Sequence, residues 1–156
     1  MKSPEYIDFM AISALFQQAH AESRNFLYEY EVYTLLSKSG AETPPRSHLL
    51  VRGARVSDEE LVALPGDKAV LKIVSPTIVH KTEVGGVRIV AKTPESVRSA
   101  QRRMLYEVPE NYAAWIERNP DAAPPSYRNL SGQALVAAIS RDVKGVLHGK
   151  MGQVFF

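Results

Sequence analysis

The chain has 156 residues, 45% of them apolar, which suffices for one domain with an ordinary core. Its 19 basic and 17 acidic residues leave a formal charge of +2, too small to argue for nucleic acid or an anionic membrane as partner. The lack of cysteine excludes disulfides, a thiol nucleophile and cysteine-held zinc, no apolar run reaches transmembrane length, and the cytoplasm is the expected location.

The first predicted element is an amphipathic helix from Pro4 or Glu5 to about His20, with Ser3 as cap and proline at the first helical position. Ile7, Met10, Ala11, Ala14 and Leu15 follow helical spacing, and Phe9, Ile12 and Phe16 widen the stripe. The run followed by Ala19-His20-Ala21 imitates a signal peptide, but Lys2 is offset by Glu5 and Asp8, whereas a leader needs a positive excess there. This helix either closes the domain's own core or packs on a partner. A second helix is expected over Phe26 to Ser39, stopped by Gly40. Leu27, Tyr28, Val32, Leu35 and Leu36 would face inward, and Glu29, Glu31 and Lys38 outward. After the turn chemistry of Pro44-Pro45, Ser47 to Val51 reads as a short strand. Ser57 and Glu60 form a capping box for a brief helix to about Leu64, ended by Pro65-Gly66.

Ala69 to Val74 is the main strand, stopped by Ser75-Pro76. Val70 and Val74 on one side and Leu71 and Ile73 on the other make both faces apolar, as in a strand covered on two sides. Lys72 is the exception: its stem reaches an edge, or its ammonium points at an anion. The loop from Ser75 to Gly86 carries His80, Lys81, Thr82 and Glu83 and ends in a glycine pair, before a second strand at Val87 to Val90. Loops of this length are often binding loops. Amides at Gly85 and Gly86, the Thr82 hydroxyl and the cations of Lys72 and Lys81 are the parts needed to hold phosphate. The residues alone leave two readings open, a phosphate-holding loop or a solvated turn. Neither a Walker A motif nor GxGxxG is present.

Thr93 caps and Pro94 opens a further helix carrying Val97, Ala100, Gln101, Met104 and Leu105. Arg98, Arg102 and Arg103 form its basic side, read as solvated, because no aromatics interleave to bind RNA. Between Tyr106 and Arg128, Pro109, Pro120, Pro124 and Pro125 predict a break, a short extra helix around Tyr112, Trp115 and Ile116, and an extended loop. Ser131 to Ser140 reads as helix and Asp142 to Leu147 as a last strand. The alternation predicts an α/β (α+β) fold, a small mixed sheet flanked by helices. His20, His48 and His148 are dispersed and read as structural or exposed. No group of residues reads as a metal site.

The run Lys72 to Val87, Lys-Ile-Val-Ser-Pro-Thr-Ile-Val-His-Lys-Thr-Glu-Val-Gly-Gly-Val, resembles the hallmark segment of the N-terminal ATP-grasp lobe of the nucleoside-diphosphate-forming acyl-CoA synthetases. These are the ADP-forming acetate–CoA ligases and relatives, distantly similar to succinyl-CoA synthetase. A second match is Leu27-Tyr28-Glu29-Tyr30-Glu31 leading to Leu35-Leu36, Gly40 and Thr43-Pro44-Pro45. The resemblance covers roughly Leu27 to Met104, with a weaker match near Val143 to Met151, and implies an ATP-grasp N-lobe over residues 26–156. Residues 1–25 would be a helix and linker, and the stretch near 106–130 a Pro-rich insertion. It implies that His80 carries a phosphoryl group between substrate and ADP, while Lys72, Lys81, Thr82, Gly85 and Gly86 hold nucleotide. Glu83 would orient His80 or Lys81, or be a surface carboxylate. ATP or ADP with magnesium is the implied cofactor, with metal ligands on a second ATP-grasp lobe that this chain lacks. The implied partners are that lobe and a CoA-binding domain or subunit, with neither nucleic acid nor membrane; a homodimer covering the surface of the missing lobe is a further expectation. The complete enzyme would interconvert acyl-CoA, ADP and phosphate with acid, CoA and ATP, and this chain alone would be inactive. The alternative expectation is a standalone, non-catalytic module of the same descent that binds a nucleotide or a partner.

Overall fold

The computed structural model describes residues 7–40 and 47–150. The chain divides into two compact units, Met1–Arg46 and Ser47–Phe156.

The first unit contains α1 (Phe9–Ala21) and α2 (Glu29–Lys38). Asp8 caps α1, its carboxylate accepting from the Ala11 N–H at 3.0 Å. The helix thus begins at Phe9, later than expected, and Ser3, Pro4 and Glu5, on which the expected start rested, lie outside the described residues. The Asp8 N–H donates to the Lys38 carbonyl at 2.9 Å, which sets the start of α1 beside the end of α2. Gly40 follows α2 with φ 73°, the left-handed stop expected of it.

Glu31 corrects the expected outward face of α2. Its side chain is 5% exposed and grips the Arg24 guanidinium with both oxygens, at 2.6 and 3.1 Å. It also accepts the Tyr28 N–H at 2.8 Å, a cap for the first turn. Arg24 lies 4.1 Å from the centre of the Tyr28 ring and binds Glu22 at 3.0 Å. Val32 and Leu36, expected inside, are exposed instead. The inward face follows Tyr28 and Glu31, because a buried ion pair anchored on the preceding turn turns the helix towards it.

The second unit is a four-stranded sheet, β1 (Ser47–Val51), β2 (Lys68–Val74), β3 (Val87–Ala91) and β4 (Gly145–Lys150), in the order β1-β4-β2-β3. The α/β class is as expected, but every pairing is antiparallel and the sheet is not mixed. β1 and β2, separated by α3 (Asp58–Ala63), do run in the same direction, as a strand-helix-strand unit implies. They are not neighbours, because β4 enters between them and pairs antiparallel with each. The Ser57–Glu60 capping box forms as its residues dictate, with bonds of 3.1 and 3.3 Å.

One sheet face carries Leu50, Ala69, Leu71, Ile73 and Val146 into a core closed by α4 (Pro94–Arg118) and α5 (Gly132–Asp142). The expected break at Pro109 does not occur, and α4 is one helix of 25 residues with Pro109 inside it. A proline in a helix interior costs about 3 kcal/mol. Val97, Met104, Val108, Tyr112 and Ile116 form one buried stripe on both sides of it. At about 1.5–3 kcal/mol for each buried side chain, that stripe outweighs the proline. The following stretch is not extended either: two short 3-10 turns, Pro120–Ala122 and Pro125–Tyr127, seat Tyr127 in the core at 2% exposure. No helix among the described residues is long and apolar enough to cross a membrane.

Candidate functional site

β2 runs between β4 and β3 and leads straight into the loop of residues 75–86. Two apolar side chains fix that loop to the core, Ile78 at 3% exposure and Val84 at 2%. Between them Val79, His80, Thr82 and Glu83 stand exposed, with Lys81 half-buried. A peptide pinned on both sides of its tip keeps its backbone in place while presenting the tip side chains to solvent.

The glycine pair makes this shape. Gly85 has φ 74°, a left-handed turn after the 3-10 turn Thr82–Val84, and strained for any side chain. Gly86 is buried where a Cβ would lie 2.8 Å from Ile73 Cγ2 and 2.9 Å from the Lys81 carbonyl oxygen. Only a bare backbone passes there, and the Ile73 N–H donates to the Gly86 carbonyl at 2.8 Å. The Gly86 and Gly85 N–H groups donate to the carbonyls of Lys81, at 2.6 Å, and Thr82, at 3.4 Å. In this conformation both amides close the loop on itself and are not turned towards a ligand.

Residues that sequence reasoning missed hold the loop from the side of α4. The Asn111 amide donates to the Val84 carbonyl at 3.1 Å, and the Tyr112 hydroxyl to the Thr77 carbonyl at 2.8 Å. Tyr127 sits 2.9 Å from the Thr77 hydroxyl and donates to Asp142. Burial, with the Asp142 bond adding to it, pushes the Tyr127 hydroxyl well above its ordinary range. Trp115 Nε1 donates to the Glu83 carboxylate at 3.0 Å, and the Trp115 ring centre lies 5.8 Å from that of His80. Glu83 therefore accepts a hydrogen bond from Trp115. Arg88 supports the exit of the loop, donating from Nε to the Gly85 carbonyl at 3.0 Å and pairing with Glu107 at 2.8 Å. Arg88, and then Arg103, hold the Glu107 carboxyl below the usual carboxylate range. The i, i+3 recurrence of Tyr112, Trp115 and Ile116 after Val108 was the available signal, hidden by the break read at Pro109.

His80, Lys81, Thr82, Gly85 and Gly86 thus share one loop. Lys72 stands apart from them. It pairs with Val87, the residue after Gly86, and with Leu147 of β4. By strand alternation its side chain lies on the sheet face opposite Leu71 and Ile73, away from α4, and the residue is 4% exposed. Lys72 and His80 are therefore placed on opposite sides of the sheet. Among the described residues no three His, Asp or Glu side chains group to hold a metal ion.

A family model described as an ATP-grasp domain matches residues 18–119. The beta subunit of acetate–CoA ligase (ADP-forming) I from Pyrococcus furiosus is 36% identical over 135 residues, covering 82% of this chain and 52% of the relative. The chain spans about half the length of that curated relative. No solved structure matches.

Proposed function

Because this chain belongs to the ATP-grasp family, as an N-terminal lobe related to that of ADP-forming acetate–CoA ligase, we propose that it is the nucleotide-binding lobe of an acyl-CoA synthetase relaying phosphate through His80. The observation that carries this reading is the exposed His80 on a loop pinned at Ile78 and Val84. A neutral imidazole nitrogen attacks the phosphorus of an acyl phosphate, formed from acyl-CoA and phosphate with release of CoA, and the free carboxylate leaves; a terminal oxygen of ADP then displaces the imidazole to form ATP. Lys81 and the Thr82 hydroxyl flank the histidine and supply a cation and a donor for the phosphoryl oxygens. Lys72 is the point charge for nucleotide phosphates on the other sheet face. Phosphate on His80 reaches that face only if the loop tip leaves Trp115, so the Trp115–Glu83 bond holds the loop between transfers.

The acid, CoA and the metal ligands belong to partners of this lobe, a CoA-binding domain or subunit and a second ATP-grasp lobe. The chain by itself turns over no acyl-CoA, and ATP made from acetyl-CoA by this chain alone would overturn that part. In an assembly with those partners, radiolabelled ATP should place an acid-labile, base-stable phosphate on the chain. His80→Asn should remove the label while nucleotide binding persists. A label unchanged in His80→Asn would sink the relay.

A further inference from the structure

Arg98, Gln101, Arg102 and Leu105 recur at i, i+3, i+4 and i+7 and form one stripe of α4. Facing them is the turn Gly53–Ala54–Arg55, which leaves β1, and between the two lies a cavity of about 350 Å³. The turn is fixed at several points. The Ala54 N–H donates to the Val51 carbonyl at 2.9 Å, and the Gln101 amide donates to the Ala54 carbonyl at 3.3 Å. Arg98 donates from a terminal nitrogen to the Val56 carbonyl at 3.2 Å, while its Nε is buried without a hydrogen-bond partner. A Cβ on Gly53 would meet nothing within 4 Å, so the turn leaves its side of the cavity open.

Three guanidinium groups line this cavity, and no carboxylate does. Arg55 and Arg102 form no hydrogen bond or ion pair with any described residue. An adjoining cavity that Arg102 also lines, with Arg52, has Glu110 in its wall; Arg52 is tied to the Ser140 carbonyl at 2.8 Å. An anion entering this space would meet the half-buried Arg98, whose Nε is unpartnered, and two exposed guanidinium groups free to close on it. The planar fork of guanidinium matches phosphate oxygens two at a time. The volume suits a small molecule, and the three charges suit more than one phosphate group.

We propose that the cavity between α4 and the Gly53–Arg55 turn is an anion site for a diphosphate- or polyphosphate-bearing small molecule, distinct from the His80 loop. Arg102 and Trp115 are separated by about 20 Å along α4 at 1.5 Å per residue, so the two sites occupy different turns of one helix. The test is calorimetric titration of the full chain with pyrophosphate at constant ionic strength, with sulfate as control. Pyrophosphate should bind with one-site stoichiometry and sulfate much more weakly. Affinity should fall about tenfold or more in Arg102→Ala and in Arg55→Ala, whose exposed and unbonded side chains leave the fold intact. Arg102→Lys should recover part of the loss, and Arg128→Ala, an exposed arginine away from the cavity, should retain wild-type affinity. Absence of pyrophosphate binding, wild-type affinity in both alanine variants, or an equal loss in Arg128→Ala would overturn the assignment. A response to single-stranded RNA in place of pyrophosphate would overturn it as well.

Discussion

Glu31→Ala is expected to lower the stability of the N-terminal unit by about 3 kcal/mol or more. Arg24 and Glu31 have side chains 3% and 5% exposed, so deleting the carboxylate leaves a buried guanidinium with Glu22 as its remaining acidic partner. Removing one member of a buried ion pair typically costs about 3–5 kcal/mol, because the surviving charge stays desolvated. The Tyr28 N–H loses its acceptor at the same time, worth about 1 kcal/mol at a helix start. Against the roughly 5–15 kcal/mol that holds an ordinary domain together, this is a large share. Urea denaturation followed by far-UV circular dichroism reads the loss. Replacing both partners with apolar residues, Arg24→Met with Glu31→Leu, should recover most of it, since the desolvated charge is gone. A single variant as stable as the wild type would show that the pair contributes nothing.

His148 sets the second large effect, the response to acid. It lies on the core face of β4 opposite Leu71, is fully buried, and neither ring nitrogen has a hydrogen-bond partner among the described residues. Burial, and then the neighbouring His48 ring at 5.2 Å, push its pKa down to about 4, with Glu60 opposing weakly. The folded protein therefore keeps His148 neutral over a range in which the unfolded chain protonates it. Stability is full above about pH 6.5 and falls as pH drops towards 4, by about 3 kcal/mol over the window. His148→Leu should flatten that slope and leave stability at neutral pH equal or higher, since a buried polar ring without partners is removed. Denaturation midpoints measured from pH 7 to pH 4.5 decide it. An unchanged acid slope in the leucine variant would assign the effect to other groups.

Local chemistry made much of both units legible. The Ser57–Glu60 box, the Thr93 cap with Pro94 behind it, the Gly40 stop and the bounds of β1 all depend on residues within a few positions of each other, and all form as read. Glu31 was misplaced because its partner lies outside the helix, seven positions back, and periodicity carries no information about it. Pro109 was read as a break because the local cost of proline is visible in sequence, whereas the stripe that outweighs it becomes apparent only over several turns. That error concealed Asn111, Tyr112 and Trp115, which support the His80 loop from the same helix. His148 was read as structural or exposed without a choice between the two, because the last strand was read as ending at Leu147. Extended to Lys150, alternation from Val146 puts His148 on the core face. The loop residues from His80 to Gly86 stood out because a histidine, two glycines and a lysine in one short connection are a chemical inventory before they are a structure. The sidedness of Lys72 relative to His80 needed the sheet.

The central proposal is that Lys72 holds the phosphates of a nucleotide that the His80 loop serves from the other side of the sheet. Calorimetric titration of the chain with ADP and magnesium, repeated on Lys72→Met, tests it most directly, because the variant keeps the aliphatic stem and removes only the charge. The account predicts binding by the wild type that falls at least tenfold in Lys72→Met, with pyrophosphate binding at the arginine cavity unchanged. A folded wild type that takes no nucleotide, or a Lys72→Met variant that binds as well as the wild type, would contradict it.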